Sequence, residues 1–273
     1  MFRPSVKLAT LVAVAVVTAL PCLSADQDQT DIQNSIIRYK AAIEVNPKNA
    51  LTRQRLGRAY LMSGNLAGAI EQLQAAIKLK SDDSASYIDL ARAYMRKKDL
   101  GAALNALRGG ARVDPDNADV HYKMGEVLAQ QSQTDQAIGE FRESIKLNPN
   151  NGAAHRDLGM VLGEKNDVDG QIVEMKKAIE LAPNDPDAYF YLGGAYVAQG
   201  KTKEAIDSLN TCTKLDPKNA DAFRMLASVY AFTNNFTEAV KDAEIACRLD
   251  PENKKFKLTL QKIKEHAQTA KNK

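Results

Sequence analysis

A short turn recurs seven times in this chain at a constant interval of 34 residues. It begins at Asn46-Pro47-Lys48-Asn49 and returns at Lys80-Ser81-Asp82-Asp83, Asp114-Pro115-Asp116-Asn117 and Asn148-Pro149-Asn150-Asn151. The last three are Ala182-Pro183-Asn184-Asp185, Asp216-Pro217-Lys218-Asn219 and Asp250-Pro251-Glu252-Asn253. A fixed interval of this length marks stacked supersecondary units rather than one globular core. Proline stops the helix before it, having no N–H and clashing with the preceding turn. Only the second turn lacks it, with Ser81 in its place. Each turn closes on Asn or Asp, side chains that accept hydrogen bonds from the free amides of a following helix. Two helical stretches, A and B, are therefore expected between turns, parted by Ser63-Gly64-Asn65, Lys97-Lys98-Asp99, Lys165-Asn166-Asp167, Gln199-Gly200-Lys201 and Thr233-Asn234-Asn235. No stretch alternates apolar and polar residues as a half-buried strand would.

Places within each unit are numbered from the residue after its turn. Place 7 holds Leu56, Leu90, Met124, Leu158, Leu192 and Leu226, and place 8 holds Gly57, Ala91, Gly125, Gly159, Gly193 and Ala227. Place 11 holds Tyr60, Tyr94, Leu128, Leu162, Tyr196 and Tyr230; place 20 holds Ala69, Ala103, Ala137, Ala205 and Ala239, with Gln171 as the exception. Small residues let helices A and B approach, and large ones fill the space between, so looser packing is expected at Gln171. This pattern resembles the tetratricopeptide repeat. The resemblance implies an all-α, right-handed superhelical solenoid of six helix-turn-helix repeats, 50–83, 84–117, 118–151, 152–185, 186–219 and 220–253. Residues 26–49 are expected as a capping half-repeat, with a lone helix over 30–46 that packs through Tyr39 and Ala42. Residues 254–273 are expected as a capping helix and basic tail, with Phe256, Leu258, Leu260 and Ile263 as its apolar residues. Caps are needed because a terminal repeat would otherwise leave its apolar face wet. Gly109-Gly110 is expected to interrupt helix B of the second repeat and form a soft joint, since each Gly costs about 0.5–1 kcal/mol in a helix.

Residues 1–25 have another design. Arg3 and Lys7 precede the apolar run Leu8 to Leu20, Pro21 ends it, and Ser24 and Ala25 follow. This is the layout of a secretory signal peptide cleaved near Ser24 or Ala25, with an uncleaved anchor or lipidation at Cys22 as alternatives. A periplasmic or secreted location is expected, with no transmembrane segment after cleavage. In a eukaryotic secretory setting Asn235-Phe236-Thr237 would be a glycosylation acceptor. Loss of Arg3 and Lys7 lowers the formal charge from +3 to +1, and residues 254–273 alone carry seven Lys against one Glu. A near-neutral body does not suit nucleic acid, whose binding is driven by phosphate neutralisation. The basic tail is either a solvated helix face or a weak contact for anionic lipid.

No constellation for catalysis stands out: there is no phosphate-binding glycine loop, no HExxH, no CxxC and no nucleophile elbow. No cofactor and no metal site is expected. His121 and His155 share place 4 of neighbouring repeats, but neighbouring helices lie roughly 8–10 Å apart, too far for two imidazoles to share an ion. They are expected as packing aromatics. Cys212 and Cys247 lie at places that differ by one, about 100° apart around a helix. That disfavours a disulfide and favours small core residues.

What remains is binding. At about 100° per residue, places 4, 7, 8 and 11 share one side of helix A, while 2, 6, 9 and 13 face away with 5 and 12 on the flanks. In tetratricopeptide proteins that far face lines a concave groove for an extended peptide or partner helix. Here it would present Arg55, Arg58, Arg92 and Arg96 first, then Tyr122, Arg156 and Met160, then Phe190, Tyr191, Val197, Met225 and Phe232. The fifth helix A has no charged residue from Ala188 to Ala198, so its open face is either covered by the superhelix or, as expected here, an apolar patch with Phe190 and Tyr191 that takes a partner. The arginines suit an acidic segment of a ligand or nearby acids of the chain itself. The cochaperones of this family clamp a terminal carboxylate with Lys and Asn at places 5 and 9. Here those places hold Gln54, Arg58, Ile88 and Arg92, which argues against that subgroup. The resulting expectation is a noncatalytic scaffold or adaptor for a protein or peptide in the cell envelope. A periplasmic chaperone for unfolded exported proteins and a regulatory subunit of an envelope enzyme are the alternatives.

Overall fold

The computed structural model describes the backbone of residues 20–271 and the side chains of 29–270. Fourteen α-helices and no strand occur among the described residues. The chain divides into two compact units, Met1–Val113 and Asp114–Lys273. The first holds α1 (Leu20–Val45), α2 (Ala50–Met62), α3 (Leu66–Leu79), α4 (Ser84–Arg96) and α5 (Leu100–Val113). The second holds α6 (Ala118–Gln130), α7 (Thr134–Leu147), α8 (Gly152–Glu164), α9 (Val168–Leu181), α10 (Pro186–Ala198), α11 (Thr202–Leu215), α12 (Ala220–Phe232), α13 (Phe236–Leu249) and α14 (Lys254–Lys271). Within each unit the helices pair as A and B, and each helix B also packs on the next helix A of that unit.

The turn chemistry explains the boundaries. Asn49, Asn117, Asn151, Asp185, Asn219 and Asn253 accept from amides two or three residues on, as in the 3.0 Å bond from Thr52 N to Asn49 Oδ1. Asp83 differs: its carboxylate takes the Ser86 hydroxyl instead. Between helices A and B, place 15 is left-handed in every repeat: Gly64 (φ 80°), Lys98 (63°), Ser132 (58°), Asn166 (62°), Gly200 (71°) and Asn234 (59°). One such residue reverses the chain, and only two of the six are glycine.

The core of each repeat is a pair, a small residue at place 8 of helix A facing place 24 of helix B. An ideal Cβ on Gly125 would stand 2.6 Å from the Phe141 ring, and one on Gly57 or Gly193 would stand 2.6 Å from Leu73 or Leu209. Phe141, Leu73 and Leu209 are at most 1% exposed. Where place 8 is Ala227, place 24 shrinks to Ala243, and both are buried.

Several expectations need correction. Gly109 and Gly110 do not interrupt a helix: α5 runs unbroken through both. Both are buried, and a Cβ on Gly109 would meet the Tyr87 ring at 2.5 Å, so close approach is the role of Gly109. The boundary between the two units follows α5, after Val113. Gln171 does not loosen its repeat, because Gly163 makes room: a Cβ there would lie 2.7 Å from the Gln171 amide. The N-terminal helix is longer than 30–46, starting at Leu20. In it Ile36 is buried and Tyr39 is half-buried, but Ala42 is exposed. In α14, Phe256 and Ile263 are buried, whereas Leu258 is half exposed. Cys212 and Cys247 are free thiols, and burial pushes the Cys212 thiol up to about 12. Of the expected leader, residues 1–19 lie outside the described residues. No described helix is long and apolar enough to cross a membrane.

The paired places give a test. Gly125→Ala forces a methyl against Phe141 and is expected to lower stability by about 1–3 kcal/mol. Gly139→Ala lies in α7 with open space around it. That change is expected to raise stability by about 0.5–1 kcal/mol through helix propensity. Urea unfolding of both variants checks the two signs.

Candidate functional site

In the first unit, α2 and α4 lie side by side and carry the expected arginines. At their centre is Asp89, only 1% exposed. Arg58 Nε donates to one of its oxygens, Arg92 Nη1 lies 3.5 Å from the other, and Gln54 Nε2 lies 3.5 Å from the first. Burial pushes the Asp89 carboxyl above the usual carboxylate range, although Arg58 and Arg92 pull it back. Both arginine side chains remain about half exposed. They are held from beneath and open from above, with donors to spare. Arg96 donates to the carbonyl of Leu61. Arg55 is exposed.

In the second unit, place 5 proves to be a contact position rather than a free flank. Tyr122 donates its hydroxyl to Asp157 at 2.8 Å. Its ring packs 6.0 Å from that of Phe141. Burial, reinforced by the charge of Asp157, raises the Tyr122 hydroxyl far above its ordinary value. Arg156 bridges Asp157 at 3.0 Å and Asp185 at 2.8 Å. Phe190 leans on Leu209, Leu226 and Val229. Its ring meets Tyr191 edge-on at 5.3 Å, and Tyr191 and Met160 pack on the core around Leu192. Tyr122, Arg156, Phe190, Tyr191 and Met160 are thus partly covered and hold neighbouring repeats together. Phe190 and Tyr191 are each half-buried.

The open apolar surface is one turn farther along. Val197 of α10 and Met225 and Phe232 of α12 line a groove of about 470 Å³ between these helices, with Gly194, Ser228 and Arg224. Phe232 is 81% exposed and Val197 42%. The groove exists because place 9 is small in both repeats, Gly194 and Ser228, where the fourth has Met160. Gly194 and Ser228 were not among the expected site residues; the Gly193-Gly194 doublet was their signal.

The two histidines are not simple packing aromatics. His121 places Nδ1 2.7 Å from Glu140 and Nε2 2.9 Å from the Pro115 carbonyl. His155 repeats this with Glu174 at 2.6 Å and Pro149 at 3.1 Å. Arg53 does the same work in the first repeat, reaching Pro47 O and Gln72 Oε1, each at 2.9 Å. Place 4 therefore ties the entry turn to place 23 of helix B. Both acceptors of His121 suit the imidazolium. Burial opposes that charge, but Glu140, the Pro115 carbonyl and Glu143 prevail and raise its pKa above 6.5. In the sixth repeat the same places hold Phe223 and Asp242, so the carboxyl has no donor at place 4. Burial pushes Asp242 up to about 6, against the pull of Lys241 and with a push from Glu238. No group of three or more His, Cys, Asp or Glu that could hold a metal occurs among the described residues.

The sequence matches the Tetratricopeptide repeat family over residues 28–86 and 61–127, 122–186, 174–207 and 220–253, and the TPR repeat family over 193–232. It matches no curated protein. Among solved structures, Pseudomonas aeruginosa pilF is similar, with a TM-score of 0.70 and 18% identity over 79% of this chain and 96% of that one. YrrB, described as a TPR protein with an unusual peptide-binding site, is similar with a TM-score of 0.57 and 22% identity over 67% of this chain and 95% of that one. MamA from Desulfovibrio magneticus RS-1 is similar with a TM-score of 0.58 and 22% identity over 63% of this chain and 97% of that one. At these identities the likeness is one of fold.

The titrating pair predicts how stability follows pH. Asp242 has a folded pKa of about 6 against an ordinary 3.8, so it weakens the fold increasingly as pH rises between those values. His121 has a raised folded pKa, so its contribution is complete below 6.5 and is lost as pH rises through the folded value. Urea midpoints measured across pH are expected to fall in both windows. Asp242→Asn removes the lower fall and His121→Gln the upper.

Proposed function

Because the chain belongs to the tetratricopeptide-repeat family, we propose that it is an envelope scaffold whose α10–α12 groove holds an apolar stretch of a partner protein. The family builds protein–protein interaction scaffolds, and this chain has its repeats. The observation that carries the groove assignment is Phe232. A phenylalanine 81% exposed, beside an exposed Val197 and above a gap left by Gly194 and Ser228, is an anchor without a pocket to fill of its own. Aromatic anchors of this kind dominate binding energy where they become buried. Arg224 at the rim supplies a charge for orientation. The peptide-binding site named for YrrB gives a precedent within the fold.

The location belongs to the same proposal. Arg3 and Lys7 before an apolar run, with Ser24 and Ala25 after it, support export to the periplasm or beyond. The partner would be a protein or peptide of that compartment. The lysines of α14 leave room for weak contact with anionic lipid. Phe190 and Tyr191 serve this function by fixing α10 against its neighbours, and the contact falls to Val197, Met225 and Phe232.

Capture from envelope extract, followed by mass spectrometry, tests the groove. The full chain is expected to hold one stoichiometric partner. A folded Phe232→Ser variant is expected to bind that partner roughly 30-fold more weakly, from the loss of about 2 kcal/mol of apolar burial. A partner retained equally by Phe232→Ser moves the site elsewhere, and many unrelated clients point to a chaperone.

A further inference from the structure

The two compact units differ in charge. Residues 1–113 hold sixteen Lys and Arg against nine Asp and Glu, whereas residues 114–253 hold fourteen against twenty-four. Part of the first unit's surplus lies on the far face of α2 and α4, which carries Arg55, Arg58, Arg92 and Arg96. Arg55 has an acid beside it, since Asp31 of α1 lines the same groove. The other three arginines share a single acid. Arg58 and Arg92 divide the two oxygens of Asp89, and Arg96 donates to the neutral carbonyl of Leu61. Among the described residues no carboxylate pairs with Arg96, and residues 1–19 contain no acid. Three guanidinium groups against one carboxylate leave two positive charges unmatched.

The arginines are also held in place. Asp89 is 1% exposed, so its buried oxygens fix where the guanidinium groups of Arg58 and Arg92 lie. Arg58 spends its Nε there and keeps both Nη groups; Arg92 turns Nη1 toward the other oxygen at 3.5 Å. Both side chains are 53% exposed. Because the two guanidinium groups touch one carboxylate, their unspent N–H donors lie together, in the planar arrangement that suits a second carboxylate from outside. Arg96, also exposed, follows one turn farther along α4. Four residues of helix rise about 6 Å, close to the roughly 6.6 Å between alternate residues of an extended chain.

We propose that this face of α2 and α4 is a second binding site, which takes a short acidic segment of a partner protein. One carboxylate lies between Arg58 and Arg92, and the next but one residue sets its own against Arg96. Both are Asp or Glu side chains, so no chain terminus is required. The excess of acid in residues 114–253 opposes an extended polyanion such as a nucleic acid or an anionic membrane. A short segment needs only the first unit. This site is separate from the α10–α12 groove and stands or falls without it.

The test titrates the full chain into a fluorescein-labelled peptide of alternating Glu and Ser, amidated at its C-terminus, and follows anisotropy. A twin carries Gln for Glu. The Glu peptide is expected to bind roughly tenfold tighter than the twin, the range of two exposed ion pairs. Arg92→Gln/Arg96→Gln leaves Arg58 on Asp89 and is expected to remove most of that preference with circular dichroism unchanged. Arg96→Gln alone, which disturbs no side-chain pair, is expected to weaken the Glu peptide roughly threefold. Arg108→Gln/Arg112→Gln makes the same change of charge at exposed places of α5 and is expected to leave affinity nearly unchanged. Equal affinity for the two peptides overturns the proposal. An equal loss with the α5 variant also overturns it, because that outcome marks general attraction to net charge. Oligothymidylate or phosphatidylglycerol vesicles that bind tighter than the Glu peptide, and are lost with Arg92→Gln/Arg96→Gln, overturn the choice of occupant.

Discussion

Everything else in each repeat depends on how closely helix A can approach helix B. The distance is set where place 8 meets place 24, Gly57 under Leu73, Gly125 under Phe141 and Gly193 under Leu209. A missing Cβ on one helix is the space taken by a large side chain on the other. Interiors packed to this density tolerate no extra methyl group without displacement. The same rule explains the departures. Ala227 lies opposite Ala243, and Gln171 fits because Gly163 withdraws. In these repeats small and large residues are exchanged in pairs, whereas in the second repeat Ala91 at place 8 and Leu107 at place 24 are both fully buried.

That spacing makes the far face of helix A a series of neighbouring strips, each with its own chemistry. Where place 6 is acidic, the strips are laced together, through Asp89 in the first unit and Asp157 in the second. A buried carboxylate held by two arginines is costly to desolvate and strongly destabilising if broken, so it fixes geometry more than it adds stability. Where place 9 is small, as at Gly194 and Ser228, the strips part and a groove opens. Rigid lacing beside an open gap is a sensible way to present an apolar anchor such as Phe232, since a preformed surface loses little entropy on binding.

The turns, caps and helix pairs were legible because each rests on chemistry local in sequence. Asn49 caps Thr52 three residues away, and the Pro at six of the seven turns acts on the helix before it. The candidate surface was legible only in part. Helical angles placed Met225 and Phe232 outward and Val197 on a flank, and all three line the open groove. The same angles left Phe190, Tyr122 and Arg156 on a flank, and there the neighbouring repeat covers them. A helical wheel describes one helix and contains no information on the next. The histidines were misjudged for a similar reason, since Glu140 and the Pro115 carbonyl that hold His121 come from another helix and from a turn.

The sequence by itself determined the repeat length, the class of fold, the position of the seven turns between repeats and the absence of charge along the fifth helix A. These follow from periodicity and from bonds spanning a few residues. Only the tertiary structure decided which outward residues are free. It buried Asp89 between two arginines, half-buried Phe190 and exposed Phe232. Each of these outcomes depends on a side chain from another helix about one period away, through contacts between helices that no local pattern encodes.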